Sequence, residues 1–275
     1  VAGLLSGSIV ILFEHGIDQA ARLWGVHNRA DNFEALSTLE RFLLPVTGAL
    51  VLGLAFSLLR EEDRESGIAH VISRLYGSYG ALPWRNAIAQ FFGGIVALST
   101  GQSGGREGPG VHLGSAVSSI AGQRLGLPNN SLRVLIACGS AGGIAAAFNT
   151  PLAGVIFAME VIVSEYSVAG FVPVMLSAVT ASAMSKQFGG GVEIFELAEF
   201  QLATLGELPI VIGLGVGCGI AGALFVRLTS LASRRNTWPV FLRFALAGLL
   251  TGTLGIWIPE TVGLGYDTLE KALYG

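Results

Sequence analysis

Charge is scarce in this sequence: Asp, Glu, Lys and Arg together make up 13% of its 275 residues, about half the share found in an ordinary soluble domain. So little charge excludes a solvated globular surface for most of the chain. Basic residues are not in excess either. Sixteen Lys and Arg stand against 19 Asp and Glu, a net charge of -3, so the electrostatic footprint of a nucleic-acid partner is missing. The two cysteines, Cys138 and Cys218, each sit in an apolar, glycine-rich run. That placement reads as small buried thiols and supports neither a disulfide framework nor a metal site. Histidine occurs only at positions 15, 27, 70 and 112. A leader with a basic start, a short apolar core and a small-residue cleavage site is not visible. The chain opens directly on apolar sequence, as an internal piece of a longer protein would.

What is present is apolar residues and glycine: 52% hydrophobic residues and 39 glycines, with a mean hydropathy of +0.64. Runs free of charge extend over Phe42 to Leu59, Asn86 to Gly105, Val134 to Met159, Ser167 to Ser185 and Leu208 to Val226. Most approach the roughly 20 residues that cross a bilayer core. Two shorter runs, Val1 to Phe13 and Phe244 to Pro259, complete spans through their flanks. The expectation is an all-α integral membrane protein of several spans.

Two runs are interrupted. Asn86 to Gly105 dissolves into "STGQSGG", and Val134 to Met159 is cut by "AFNTPLAG", where Pro151 cannot continue a helix and Asn149 is a good N-cap. Half-helices meeting inside the membrane are expected there. Backbone that is not helical at that depth persists only where protein buries it or where it lines a polar cavity, so the breaks point to a transport path. Arg60 and Arg64 follow one span and Arg227, Arg234 and Arg235 another, which puts both loops in the cytoplasm. A faint repeat agrees: aligning Phe13 with Phe225 also pairs Gly3 with Gly215, Gly7 with Gly219 and Arg22 with Arg234, and the next spans pair Gly48 with Gly248 and Leu54 with Leu254. The orientation of the basic loops gives the two units opposite topology, as in many transporters.

The stretch "GGREGPGVHLGS", residues 104–115, places Arg106 and Glu107 among glycines in a chain that avoids charge. A charge at mid-membrane costs at least about 2.5 kcal/mol, which makes such a residue a functional candidate by default. Pro109 suits a first helical turn, and the small residues after it continue as a helix. A helix N-terminus presents free amides and the positive end of its dipole, which is an anion site. Deprotonated, Glu107 is an anion tethered beside that site and competes for it; protonated, it swings away. Arg106 would draw anions to the entrance. The simpler alternative is that Arg106 and Glu107 only cap a helix at the membrane surface. In "ESGIAH", residues 65–70, Ser66 offers a hydroxyl beside another helix start, with a plain N-cap serine as the competing reading. "GQSG", residues 101–104, raises an intramembrane serine protease with Ser103 as nucleophile, but His112 lies too close along the chain to look like an independent base. The phosphate-binding Gly-Lys-Ser/Thr ending is missing from "GQSGGREG". No cofactor and no enzyme activity are expected.

"GGREGPGVHLGSA" followed by "GSAGGIAAAFNTPLAGVIFAMEV" resembles the CLC family of chloride channels and chloride/proton antiporters, whose hallmark is a GREGP or GKEGP segment holding a gating glutamate. The resemblance covers essentially the whole chain. It implies an inverted-repeat helical membrane domain with broken and half-spanning helices over residues 1–275, the first half about 1–200 and the start of a second about 206–275. It implies that Glu107 is the external gate and that Ser66, with Gly67, Arg106 and Gly108, serves the anion. Chloride and protons would be the transported ions, and a homodimer with one pore per subunit in the cell membrane is implied as well.

Three departures accompany it. "ESGIAH" carries Glu65 and Ala69 where the family has glycine and proline. Glu160 matches the first position of the family's acidic pair, but Val161 stands where exchangers often carry an internal proton-transfer glutamate, which favours a passive channel. The later GxFxP segment and the ion-coordinating tyrosine lie beyond "GLGYDTLEKALYG", so the second half is expected to be incomplete at its C-terminal end.

Overall fold

The computed structural model describes residues 1–26, 33–164, 168–188, 208–234, 238–266 and 268. Among them all regular structure is helical. The helices are α1 (Ala2–Leu23), α2 (Thr38–Leu58), α3 (Gly67–Gly77), α4 (Trp84–Ser99), α5 (Glu107–Arg124), α6 (Asn129–Phe148), α7 (Pro151–Phe157), α8 (Val168–Phe188), α9 (Leu208–Arg234) and α10 (Val240–Trp257), with a π-helical turn over Ala158–Val163 after α7. Segments within α2, α6, α9 and α10 are long and apolar enough to cross a membrane. Helices α3 and α7, with 11 and 7 residues, reach only part of the way at 1.5 Å per residue. The expected membrane architecture of full, broken and half-length helices is therefore the one adopted. The expected boundary between the two halves, near residues 200–206, and Arg235 lie outside the described residues.

Helix α6 is central, packing on α5, α8 and α1, while α2 and α10 pair with each other. The α5–α6 contact follows from composition. A Cβ on Gly139 would strike the Gly114 carbonyl, one on Gly114 the Gly139 carbonyl, and one on Gly143 the Gly110 carbonyl. Two backbones meet there without side chains between them, the close approach that small residues permit in membranes. Across this seam Ser115 and Ser140 share a 2.7 Å hydroxyl bond, and on another face of α5 the Ser119 hydroxyl donates to the Gly80 carbonyl at 2.6 Å. Such bonds are worth about 0.6 kcal/mol each within a membrane. By contrast α9 has none of its span buried, leaving its whole surface to lipid or to neighbouring protein.

Both expected breaks occur. Helix α4 stops at Ser99, and Gly101 turns with φ +77 into a position where a Cβ would hit Val262 and Phe33. The Gln102 carboxamide then donates to the Pro45 carbonyl at 2.6 Å, tying the irregular stretch to α2. At the second break Asn149 departs from expectation. It is not the N-cap of α7 but the left-handed C-cap of α6, with φ 54, and Thr150 is the N-cap residue. The reason lies in its side chain, whose Oδ1 accepts from the Ser182 hydroxyl of α8 at 2.7 Å and is not free to cap. Asparagine tolerates the left-handed region better than other non-glycine residues.

Gly139→Leu should abolish a monodisperse elution peak after detergent extraction, whereas Gly217→Leu on α9, where a Cβ meets nothing within 4 Å, should elute as the wild type does. Equal behaviour of the two variants would contradict the packing described.

Candidate functional site

Helix α5 starts at Glu107, with Arg106 as an N-cap residue whose side chain makes no capping bond. Pro109 has no N–H, and the Gly110 N–H already donates to the Arg106 carbonyl at 2.9 Å. The amides of Glu107 and Gly108 are therefore the open donors of the first turn. The Glu107 side chain is exposed and folded back over Gly105, two residues before the helix start, where a Cβ would collide with its Oε2. The Tyr266 hydroxyl donates to Glu107 Oε1 at 3.4 Å. A carboxylate in that position is favoured by the helix dipole by about 0.3–1 kcal/mol.

Arg106 is not a bare positive charge. Its Nη1 lies 3.1 Å from Glu14 Oε1 of α1, with both side chains 18% exposed. The guanidinium also lies over the rings of Tyr266, at 5.2 Å, and Phe148, at 5.7 Å. Arg106 thus pins the start of α5 to α1, and much of its charge is committed to Glu14. Sequence reasoning missed Glu14 and Tyr266. A lone carboxylate just after the first apolar run was a usable signal for Glu14; nothing in the sequence connected Tyr266 with Glu107, 159 residues away.

On α3 the N-cap Ser66 is extended, with φ -154, and its hydroxyl makes no capping bond. Ser66 thus holds the N-cap position, as the competing reading has it, but without the capping bond. Gly67 has φ +73, a conformation that favours glycine. Its N–H is taken by Gln90 Oε1 at 3.0 Å, so Gly67 shapes the loop and does not offer its amide. Asn86 of α4 donates to the carbonyls of Glu62 and Glu65, each at 2.8 Å, and holds the acidic loop in place.

Helices α3 and α5 touch within their first two turns. His70, four residues after Ser66, meets His112, five residues after Glu107, at 2.9 Å. Each helix N-terminus therefore lies within about 6–8 Å of one shared contact along its own axis. Glu160 and Val161 are elsewhere, both exposed on the π-helical turn after α7. Tyr76 links α3 to that turn through a 2.7 Å bond from its hydroxyl to the Val163 carbonyl.

Ser103 is exposed, and among the described residues no histidine bonds it: His15 bonds the Ile11 carbonyl, and His70 and His112 bond each other. Among the described residues, which do not include His27, no histidine is placed as the base that a nucleophilic serine requires.

The family model described as "Voltage gated chloride channel" matches residues 48–275. The chain belongs to this CLC family. It is 32% identical over 247 residues, 87% of its length, to a ClcB-like chloride channel homologue of Ralstonia nicotianae. Over 288 aligned residues it is 30% identical to the H(+)/Cl(-) exchange transporter ClcA of Vibrio cholerae, with all of this chain covered. The chain spans about three-fifths of these CLC relatives, 58% of the first and 61% of the second. Among solved structures, a CLC-type fluoride/proton antiporter superposes with a TM-score of 0.76 at 25% identity, covering 98% of this chain and 68% of the other. A slow cyanobacterial Cl-/H+ antiporter shares the fold with a TM-score of 0.74 at 23% identity, covering 98% of this chain and 65% of its own.

Glu14→Gln keeps the shape of the Arg106 partner and removes its charge. A fully buried pair broken in this way costs about 3–5 kcal/mol, and this partly exposed one should cost less but still lower the unfolding midpoint in detergent by several degrees. An unchanged midpoint would show that the pair does not hold α1 to α5.

Proposed function

We propose that the chain forms the N-terminal and central part of a CLC-type pore that moves chloride across a membrane, with Glu107 as its protonatable gate. The observation that supports this reading is the Glu107 carboxylate folded back over Gly105 at the start of a helix whose side-chain cap is missing. A carboxylate and a diffusible anion want the same donors, so the side chain excludes chloride while ionised and releases the site when protonated. The amides of Glu107 and Gly108 and the uncommitted Ser66 hydroxyl are the anion's donors, and Gly67 sets the turn that presents Ser66. Arg106 contributes a screened positive charge and fixes the helix start. The family membership, and the ClcA relative named as an H(+)/Cl(-) exchange transporter, support chloride and protons as the ions concerned.

The protein is read as a transporter and not an enzyme, with no cofactor and chloride as its ligand. It is placed in the cell membrane as a homodimer with a separate pore in each subunit. The two halves, residues about 1–200 and 206 onward, are read as inverted repeats. A second reading is a passive channel without proton coupling, favoured by Val161 at the position where an internal proton-transfer glutamate would stand. The two differ in thermodynamics: a chloride gradient drives protons uphill through an exchanger and never through a channel.

Glu107→Gln mimics the protonated gate. In liposomes carrying the full natural chain, this variant should keep its chloride flux and lose most of the pH dependence seen in the wild type. A variant whose flux keeps the wild-type pH profile would contradict the gating role.

A further inference from the structure

Two histidines meet in the interior of the protein and take no part in the anion site. His70 Nδ1 lies 2.9 Å from His112 Nε2, the ring centroids are 5.1 Å apart, and the residues are 4% and 0% exposed. At that distance one facing nitrogen carries a proton and the other a lone pair, since two of either kind would repel. The outer nitrogens differ. His70 Nε2 lies 3.7 Å from Glu65 Oε2, on a side chain that is 61% exposed. His112 Nδ1 is buried without a hydrogen-bond partner, a condition that proteins rarely leave unexplained. Packing alone calls for neither a second imidazole nor an unfilled buried nitrogen.

The charged groups on the surrounding elements are engaged elsewhere or face outward. Arg74, one turn along α3, donates to the Ala81 carbonyl at 3.0 Å. Arg133 of α6 lies over the Tyr76 ring at 5.8 Å. Arg85 of α4 pairs with Asp63 at 3.7 Å, and Glu160 on the π-helical turn is exposed. On α5 itself, Arg106 and Glu107 stand at the start and Arg124 at the end. Glu65 is the carboxylate placed to exchange protons with the pair.

We propose that Glu65, His70 and His112 form a proton relay from the water-exposed mouth of α3 into the core of α5, supplying the internal proton step for which position 161 has only a valine. This rests on reading Glu107 as a proton-binding gate. A proton leaves the Glu65 carboxyl for His70 Nε2. The proton on His70 Nδ1 passes to His112 Nε2, and the one on His112 Nδ1 departs. Only O–H and N–H bonds are made and broken, and each ring ends as its other neutral tautomer. Rotation of both rings resets the pair with one proton carried. From His112 the start of α5 at Glu107 is five residues away, about 7.5 Å of helix rise, and water carries the proton over that last leg.

The test reconstitutes the full natural chain in liposomes under a chloride gradient and follows chloride and internal pH together, for the wild type and for Glu107→Gln, Glu65→Gln, His70→Gln and His112→Gln. The relay predicts uphill proton movement in the wild type. In either histidine variant, protons moved per chloride should fall about tenfold while chloride flux stays measurable, with a smaller fall for Glu65→Gln, whose place water can take. If the histidine variants keep the wild-type ratio while Glu107→Gln loses proton movement, the relay is wrong and the gate stands. A wild type that moves chloride but no protons uphill overturns the relay and selects the passive channel, whose gate is judged separately by the pH dependence of chloride flux in Glu107→Gln. Should the histidine variants yield no active protein, nitrogen spectra of wild-type protein labelled at histidine, recorded in bilayers, decide the matter. The relay predicts that each ring interconverts between its two neutral tautomers, so that both nitrogens of His70 and of His112 show exchange between protonated and unprotonated forms, and two rings each held in a single tautomer overturn it.

Discussion

The approach of α5 to α6 through their glycine faces is the constraint on which the rest of the site depends. At Gly114, Gly139 and Gly143 the two backbones leave no room for a single methyl group, so the position of α5 is set by main chain against main chain. Rigid main-chain contact of this kind fixes where the α5 N-terminus ends up. The ion pair of Arg106 with Glu14 and the aromatic rings of Phe148 and Tyr266 then hold that end from other sides. The result is a helix start whose first amides stay open and whose own carboxylate is folded back over Gly105.

Much of this could be read along the chain because it is local. The charge-free runs, the stops after Ser99 and Phe148, and the glutamate at the head of a small-residue helix are each visible within a dozen residues. What could not be read is pairing across distance. Arg106 and Glu14 are separated by 92 positions, His70 and His112 by 42, and Tyr266 and Glu107 by 159, and no periodicity in one sequence encodes which residues of different helices touch. Asn149 shows the same limit at short range. As a residue type it favours an N-cap, yet its side chain is taken by Ser182 from another helix, and tertiary contact overrides local preference. Gly67 is similar: the family resemblance implies that it serves the anion, but Gln90 occupies its N–H.

The same distant pairings change how Val161 is weighed. Taken alone, a valine there removes a proton carrier and argues for a channel. Elsewhere, the interior holds two bonded imidazoles, His70 of α3 and His112 of α5, next to the exposed carboxylate of Glu65. A missing acid at one position therefore does not remove proton-bearing groups from the protein, and channel and exchanger are distinguished by flux and not by position 161.

The central claim is that Glu107 and a diffusible anion compete for one set of amides. The measurement that meets it most directly is anomalous diffraction from crystals of the full natural chain grown in bromide and equilibrated at acid and at alkaline pH. The account predicts a bromide peak within hydrogen-bonding distance of the Glu107 and Gly108 amides at acid pH, and the Glu107 carboxylate in its place at alkaline pH. A bromide peak there of equal height at both values, with the carboxylate unmoved, would contradict it.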